Sequence, residues 1–307
     1  MSKDTHIEWA DSTLNLMMGC DGCELWNRAK GVKHCYAGTL TDRYGGRNGY
    51  PDNFETPKLF LGRLDAALKW SDLTGKERPS KPWLNGLPRM IFLNDMGDTF
   101  TESLTLDWLA SLLPHMAESP HVFMILTKRG GRMAAFSKRH PFPGNFWPGV
   151  SVTSMATVAR VKSLLQVEGG GVKWISAEPL LGPIDFKMDE CWLAEDHYTF
   201  AERIGLVIVG GESGPGARPC GVKDIRSIVQ QSSAAGVRCF VKQVGSNVTW
   251  CGGEYSPGYW PQAERQYGNH YAIERVKLKD GKGGDPLEWP EEIRVREMPG
   301  AKAKVTL

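Results

Sequence analysis

The chain has 307 residues, 41% of them hydrophobic and 23% charged, and 37 Lys and Arg against 35 Asp and Glu give a formal net charge of +2. That is the composition of an ordinary folded protein with one large α/β domain or two small ones, and so balanced a charge neither demands nor excludes a nucleic-acid partner. No basic leader precedes an apolar stretch, and runs such as residues 204–209 are too short to span a bilayer, so no membrane partner and a soluble, cytoplasmic protein are expected.

In chain order, a first strand is expected near residues 7–18, followed by a cysteine-bearing loop, a helix over 36–44, a second helix over 57–70 and a Gly/Pro-rich connection over 73–88. From residue 89 one grammar repeats, an apolar run, a polar cluster and then helical periodicity, which reads as consecutive βα units. A strand over 89–93 leads into Asn94, Asp95 and Asp98, and a helix over 104–118 aligns Leu106, Leu109, Leu112, Leu113 and Met116 on one face. A strand over 121–126 ends in Thr127, Lys128 and Arg129, and one over 146–152 carries Ser151 and leads to Thr153. Val158, Val161, Leu164 and Leu165 mark the next helix. Strands over 172–176, 205–209 and 239–241 end in Glu178-Pro179, Gly210-Gly211-Glu212-Ser213 and Lys242-Gln243, with a helix over 223–235 between the last two.

Strands of this kind, apolar throughout, form a parallel sheet. Nearly every one ends in ionisable or amide side chains, which favours a full or partial parallel (β/α) TIM-like barrel over an open doubly wound sheet with one switch point. The barrel is expected over residues 1–245, and 246–307 form a Trp-, Gly- and Lys-rich C-terminal extension packed on it or trailing from it.

The seven cysteines are an odd number, and Cys191, Cys220, Cys239 and Cys251 show no pairing pattern, as expected where thiols stay reduced. Cys20, Cys23 and Cys35 instead form C-x2-C-x11-C, and no second C-x2-C completes a zinc-ribbon set. Three soft thiolates suit either three irons of a 4Fe–4S cluster, with the fourth iron open, or a zinc ion completed by a residue such as His34 or His6. The mixed strand-end carboxylates, cations and amides suit an amino-acid-like cofactor together with a polar substrate, although any one of them equally suits a salt bridge or helix cap. The loop over 210–218 brings backbone N–H groups and Arg218 toward a ligand without matching a P-loop, and no G-x-S-x-G hydrolase motif is present. The basic clusters Lys128-Arg129 with Arg132, Lys138-Arg139-His140 and those between 277 and 282 are expected to be solvated surface.

Ile7-Glu8-Trp9-Ala10-Asp11-Ser12-Thr13-Leu14-Asn15, Gly19-Cys20, Cys35-Tyr36-Ala37, Leu126-Thr127-Lys128-Arg129, Gly149-Val150-Ser151, Glu178-Pro179-Leu180-Leu181-Gly182-Pro183, Gly210-Gly211-Glu212-Ser213-Gly214 and Phe240-Val241-Lys242-Gln243 together resemble the phage and bacterial three-cysteine-motif proteins of unknown function. Those proteins in turn resemble radical S-adenosylmethionine barrel enzymes. The resemblance implies a 4Fe–4S cluster on Cys20, Cys23 and Cys35, S-adenosyl-L-methionine on its open iron, an external electron donor and a 5′-deoxyadenosyl radical that modifies a polar substrate. A nucleobase or modified nucleotide in phage DNA is the expected substrate, with the host cytoplasm as location if the protein is phage-encoded. From their strand-end positions, Lys128, Glu178, Glu212 and Lys242 are assigned as catalytic groups, and Asn94, Asp95, Ser151, Thr153, Gly210, Gly211 and Ser213 as cofactor-binding groups. Arg129, Arg218 and Gln243 are left for substrate. The cysteine spacing differs from the C-x3-C-x2-C of those enzymes, and Gly210-Gly211-Glu212 comes several strands later than their glycine-glycine-glutamate element. The alternative is a zinc-stabilised barrel that binds or processes nucleic acid without radical chemistry.

Overall fold

The computed structural model describes residues 1–47, 49–193, 198–251, 265–266, 273–301 and 305–306. The fold is mixed α/β with mostly parallel strands, and the chain forms two compact units. One comprises Met1–Glu77, Gly86–Val150 and Gln166–Gly171, and the other Arg78–Asn85, Ser151–Leu165 and Val172–Leu307.

The first unit contains, in order, β1 (Ser12–Leu14), β2 (Met17–Met18), β3 (Trp26–Asn27), β4 (Val32–Lys33), α1 (Tyr36–Tyr44), β5 (Lys58–Leu59), α2 (Arg63–Leu68), β6 (Met90–Leu93), α3 (Asp107–Ala117), β7 (Val122–Thr127), α4 (Gly130–Ser137) and β8, which runs Phe146–Ser151 to the unit's edge. β1, β6, β7 and β8 pair in parallel in chain order, with Leu14 opposite Leu93, Leu93 opposite Ile125 and Thr127 opposite Val150. All four residues of β6 are buried, as expected of a strand covered on both faces. Trp108, Leu109, Leu113 and Met116 are the buried residues of α3.

Three elements differ from expectation. The first strand breaks after Leu14, because the backbone N–H groups of Leu16 and Met17 donate to Asn94 Oδ1 at 2.8 and 3.0 Å instead of to a neighbouring strand. The expected helix over 57–70 contracts to α2, since Lys58 and Leu59 pair antiparallel with Met18 and Met17. Between Cys23 and Cys35 the chain makes a small antiparallel hairpin, β3 with β4, which periodicity does not reveal.

The second unit contains α5 (Arg160–Leu165), β9 (Trp174–Ala177), α6 (Phe200–Arg203), β10 (Leu206–Gly210), β11 (Cys220–Gly221), α7 (Val222–Ala235), β12 (Arg238–Gln243), β13 (Val248–Cys251), β14 (Arg265–Gln266), β15 (Ile273–Val276), β16 (Val295–Arg296) and β17 (Val305–Thr306). β9, β10 and β12 pair in parallel in chain order, so neither unit's parallel run contains a reversal of the kind that marks a doubly wound switch point. Lys242 and Gln243 are the last two residues of β12 rather than residues beyond it.

Much of the expected C-terminal extension, residues 252–264, 267–272, 302–304 and 307, lies outside the described residues. Its described parts build on the second unit, with β16 antiparallel to β12 and β13 joining β11 and β15 in a smaller sheet. Arg296 anchors this addition. Its guanidinium lies 4.6, 5.6 and 5.4 Å from the ring centroids of Trp83, Phe240 and Trp289 and donates to the carbonyls of Val241, Lys242 and Gly284. Among the described residues no helix is long and apolar enough to cross a membrane.

Candidate functional site

The cysteine loop follows β2 and is shaped by two glycines. Gly19 has φ +100°, and a Cβ there would stand 2.8 Å from the Phe54 carbonyl oxygen. Gly22 has φ +95°, with the Trp26 carbonyl oxygen 2.5 Å from its would-be Cβ. Both positions need the left-handed backbone and the missing side chain, which explains Gly19-Cys20-Asp21-Gly22-Cys23 as a tight local fold. The loop is tied down by Gly19 N–H donating to Met96 O at 2.9 Å and Cys20 N–H to Phe54 O at 2.8 Å. Cys23 and Trp26 exchange backbone hydrogen bonds at 2.9 and 3.0 Å, closing the turn into β3.

The β3–β4 hairpin then carries the chain back, so that Cys35 leads directly into α1. Cys20 joins Met18, Trp26, Ala37, Phe54 and Met96 in one buried cluster, and Cys35 packs against the same cluster. The eleven-residue gap therefore accommodates a returning hairpin. The cysteine thiols among the described residues are free. Burial pushes the Cys20 thiol up to about 11, Asp98 adds to the rise and Arg129 opposes it. The Cys35 thiol is also raised by burial and by the neighbouring Cys23, against backbone hydrogen bonds at Gly38 and Ala37 and the charge of Lys128.

From the end of β7 comes a linked set of polar groups. Asp98 accepts from Thr127 Oγ1 at 2.6 Å, Lys128 N–H at 3.1 Å, Phe100 N–H at 3.0 Å and Arg129 Nη1 at 3.0 Å. Arg129 reaches on to the cysteine loop, with Nη1 3.4 Å from Cys20 Sγ and Nη2 2.8 Å from Gly22 O. Burial works against the Arg129 charge, but Asp98, Cys20 and Asp21 outweigh it and raise the pKa. Asn94 uses both ends of its amide within the fold, accepting from Leu16 and Met17 and donating to Thr99 Oγ1 at 2.7 Å. Burial raises the Asp95 carboxyl against a 2.7 Å hydrogen bond from Asn15 Nδ2, and the Tyr36 hydroxyl donates to the Asp95 carbonyl. The first unit thus gathers Cys20, Cys23, Cys35, Asn94, Asp95, Lys128 and Arg129. Asn15, Asp21 and Thr101 belong to the same network, although the sequence alone assigns none of them a role.

In the second unit Lys242 Nζ stands 3.2 Å from Glu178 Oε1, and Ser151 Oγ donates to the Glu178 carbonyl at 3.3 Å. The Glu178–Pro179 peptide is cis. Gln243 Nε2 donates to Gly211 O at 2.8 Å, Gly211 N–H to Gln243 O at 3.0 Å, and Leu180 N–H to Gly210 O at 2.9 Å. Thr153 N–H donates to Thr157 Oγ1 at 2.9 Å, beside the cap of the next helical turn. Glu212 grips Arg218 in a bidentate pair, Nε and Nη2 each at 2.9 Å, and also accepts the Arg218 N–H. The glycine-rich loop is therefore braced across its base, with Ser213 exposed on it.

Among the described residues, no group of three or more His, Cys, Asp or Glu side chains is arranged to hold a metal ion. In donor chemistry the three cysteines do fit a thiophilic group. They are free thiols in one neighbourhood, two of them against a single apolar cluster, with an arginine donor directed at one sulfur.

Residues 4–292 match a protein family of unknown function, DUF5131. No similar curated protein and no similar solved structure was found.

Proposed function

We propose that this chain, which belongs to the DUF5131 family, is an iron–sulfur enzyme of the radical S-adenosylmethionine kind. In this reading Cys20, Cys23 and Cys35 hold a 4Fe–4S cluster, and the parallel strands of a full or partial (β/α) barrel present the cofactor- and substrate-binding groups. The observation that supports it is the folding of three free thiols into one neighbourhood beside Lys128 and Arg129, at the end of a parallel strand. When bound, such a cluster supplies the electron that cleaves the sulfonium of S-adenosylmethionine and so makes hydrogen abstraction available.

The chain's own residues supply placement and charge. The apolar cluster around Cys20 and Cys35 keeps water from the sulfurs, and Lys128 places a positive charge by Cys35. Within the second unit Glu178 and Lys242 form an ion pair of 3.2 Å, and both are assigned as catalytic groups in this reading. The substrate assigned to it is a polar one, a nucleobase or nucleotide. Protein purified without oxygen is expected to be brown, to contain iron and sulfide, and to yield 5′-deoxyadenosine from S-adenosylmethionine after reduction. Loss of iron on Cys→Ala substitution at positions 20, 23 and 35 is expected, and a colourless protein with one tightly held zinc refutes the reading.

One observation favours the second reading, a zinc-stabilised nucleic-acid-binding protein. A cleft of about 190 Å³ is lined by Arg139 and His140 together with Arg132, Asp107 and Phe136; Arg132 is held by the carbonyls of Phe100, Thr101 and Leu104, and the exposed Arg139 is the cation suited to phosphate oxygens. Binding of an oligonucleotide that weakens with salt and with R139Q, in a protein carrying zinc and no iron, would establish it.

A further inference from the structure

Arg129 reads in the sequence as a substrate-binding cation, yet its fork is spent inside the fold. Nη1 is shared between Asp98 Oδ2 at 3.0 Å and Cys20 Sγ at 3.4 Å. Nη2 donates to Gly22 O at 2.8 Å and faces Asp21 Oδ2 at 3.9 Å. One guanidinium thus touches three consecutive residues of the cysteine loop. Its side chain is only 16% exposed, so few of its donors are available to an incoming ligand. Behind it, Asp98 is held by Thr127 Oγ1 and by the N–H groups of Lys128 and Phe100, which fixes the direction from which the guanidinium approaches.

We infer that Arg129 is a positioning residue for the cysteine centre, clamping the loop 20–22 and donating a hydrogen bond to the sulfur of Cys20. This rests on the reading that the three thiols hold a metal group, and it goes beyond that reading by reassigning Arg129 from substrate to sulfur. Two effects follow. The clamp holds Cys20 in place before the metal arrives, which strengthens binding, and partners of a metal's ligands typically contribute about 10- to 100-fold in affinity. A donor to a ligating sulfur also withdraws electron density, which stabilises the reduced cluster and raises its reduction potential. Lysine cannot replace this geometry, because a single ammonium does not span sulfur, carbonyl and carboxylate as a planar fork does.

The test compares wild type with R129Q, R129K and K138Q. The last removes an exposed positive charge just beyond α4, outside the network. Cobalt(II) titrated into the metal-free protein reports thiolate ligation through its charge-transfer absorption, and the reconstituted cluster is titrated electrochemically. Cobalt affinity is expected to fall about tenfold or more in R129Q, with a lower reduction potential, while K138Q matches wild type. R129K keeps a cation beside Asp98 and so guards against misfolding of R129Q; it too is expected to bind cobalt more weakly and to have a lower potential. Folded R129Q or R129K with cobalt affinity within about twofold of wild type and an unchanged potential would overturn the assignment of Arg129 alone. Wild type with neither thiolate-to-cobalt absorption nor a reducible cluster overturns the metal centre, and the assignment with it.

Discussion

Replacing Asp98 by alanine tests how the polar network beneath the cysteine loop is held together. The carboxylate is 10% exposed and lies 3.0 Å from Arg129 Nη1. At that separation and an effective dielectric constant of about 20 the gross attraction is roughly 5 kcal/mol. Removing one partner of such a buried pair costs about 3–5 kcal/mol, because the other charge is left without compensation. Thr127 Oγ1 and the N–H groups of Lys128 and Phe100 also lose their acceptor. Since these losses overlap, a total of about 4 kcal/mol is expected, equivalent to a fall of about 6 °C in the thermal midpoint of a chain this size. Asp98→Asn keeps an acceptor oxygen but not the charge, and should lose about half as much. Circular dichroism melts at pH 7.5 read both values. A fall below about 2 °C for Asp98→Ala would refute the reasoning, since it would mean that water already satisfies these donors.

The buried His121 imidazole is held below its ordinary value of 6.5, by burial first and then by the charge of Arg89. A depressed folded pKa means that stability is complete above 6.5 and is lost as pH falls through that value, so thermal midpoints should drop below about pH 6.5 and drop less in His121→Leu. Arg296→Ala removes the cation packed among Trp83, Phe240 and Trp289 along with its carbonyl bonds, and is expected to cost about 2–4 kcal/mol in denaturant titrations, whereas a loss under about 0.5 kcal/mol would show the cage to be incidental. Burial pushes the Cys220 and Cys239 thiols up to about 12, so iodoacetamide with mass mapping should label the exposed Cys191 in the native protein and leave those two unlabelled until it unfolds.

The βα order was legible because strands covered on both faces need an apolar run that can be read locally. β6, β7, β10 and the helix α7 all lie within a few residues of where that pattern places them. The cysteine loop was legible from its C-x2-C-x11-C spacing, and the structure adds why it is tight, since Gly19 and Gly22 take a backbone that other residues resist. Sequence could not show what each polar side chain is used for. Asn94 reads as a cofactor ligand, yet its amide caps a strand end 78 positions away in sequence. Arg129 reads as a substrate cation, yet its nitrogen finds a sulfur 109 positions away. The length of the gap before Cys35 made sense once β3 and β4 were seen to pair, and the expected helix over 57–70 shortened because two of its residues pair with β2. Hydrophobic periodicity and cysteine spacing act over a few residues, so the chain alone specified its βα order and the loop that carries its cysteines. Hydrogen bonds and ion pairs join residues remote in sequence, and the use of each charge and amide was therefore settled when the strands came side by side.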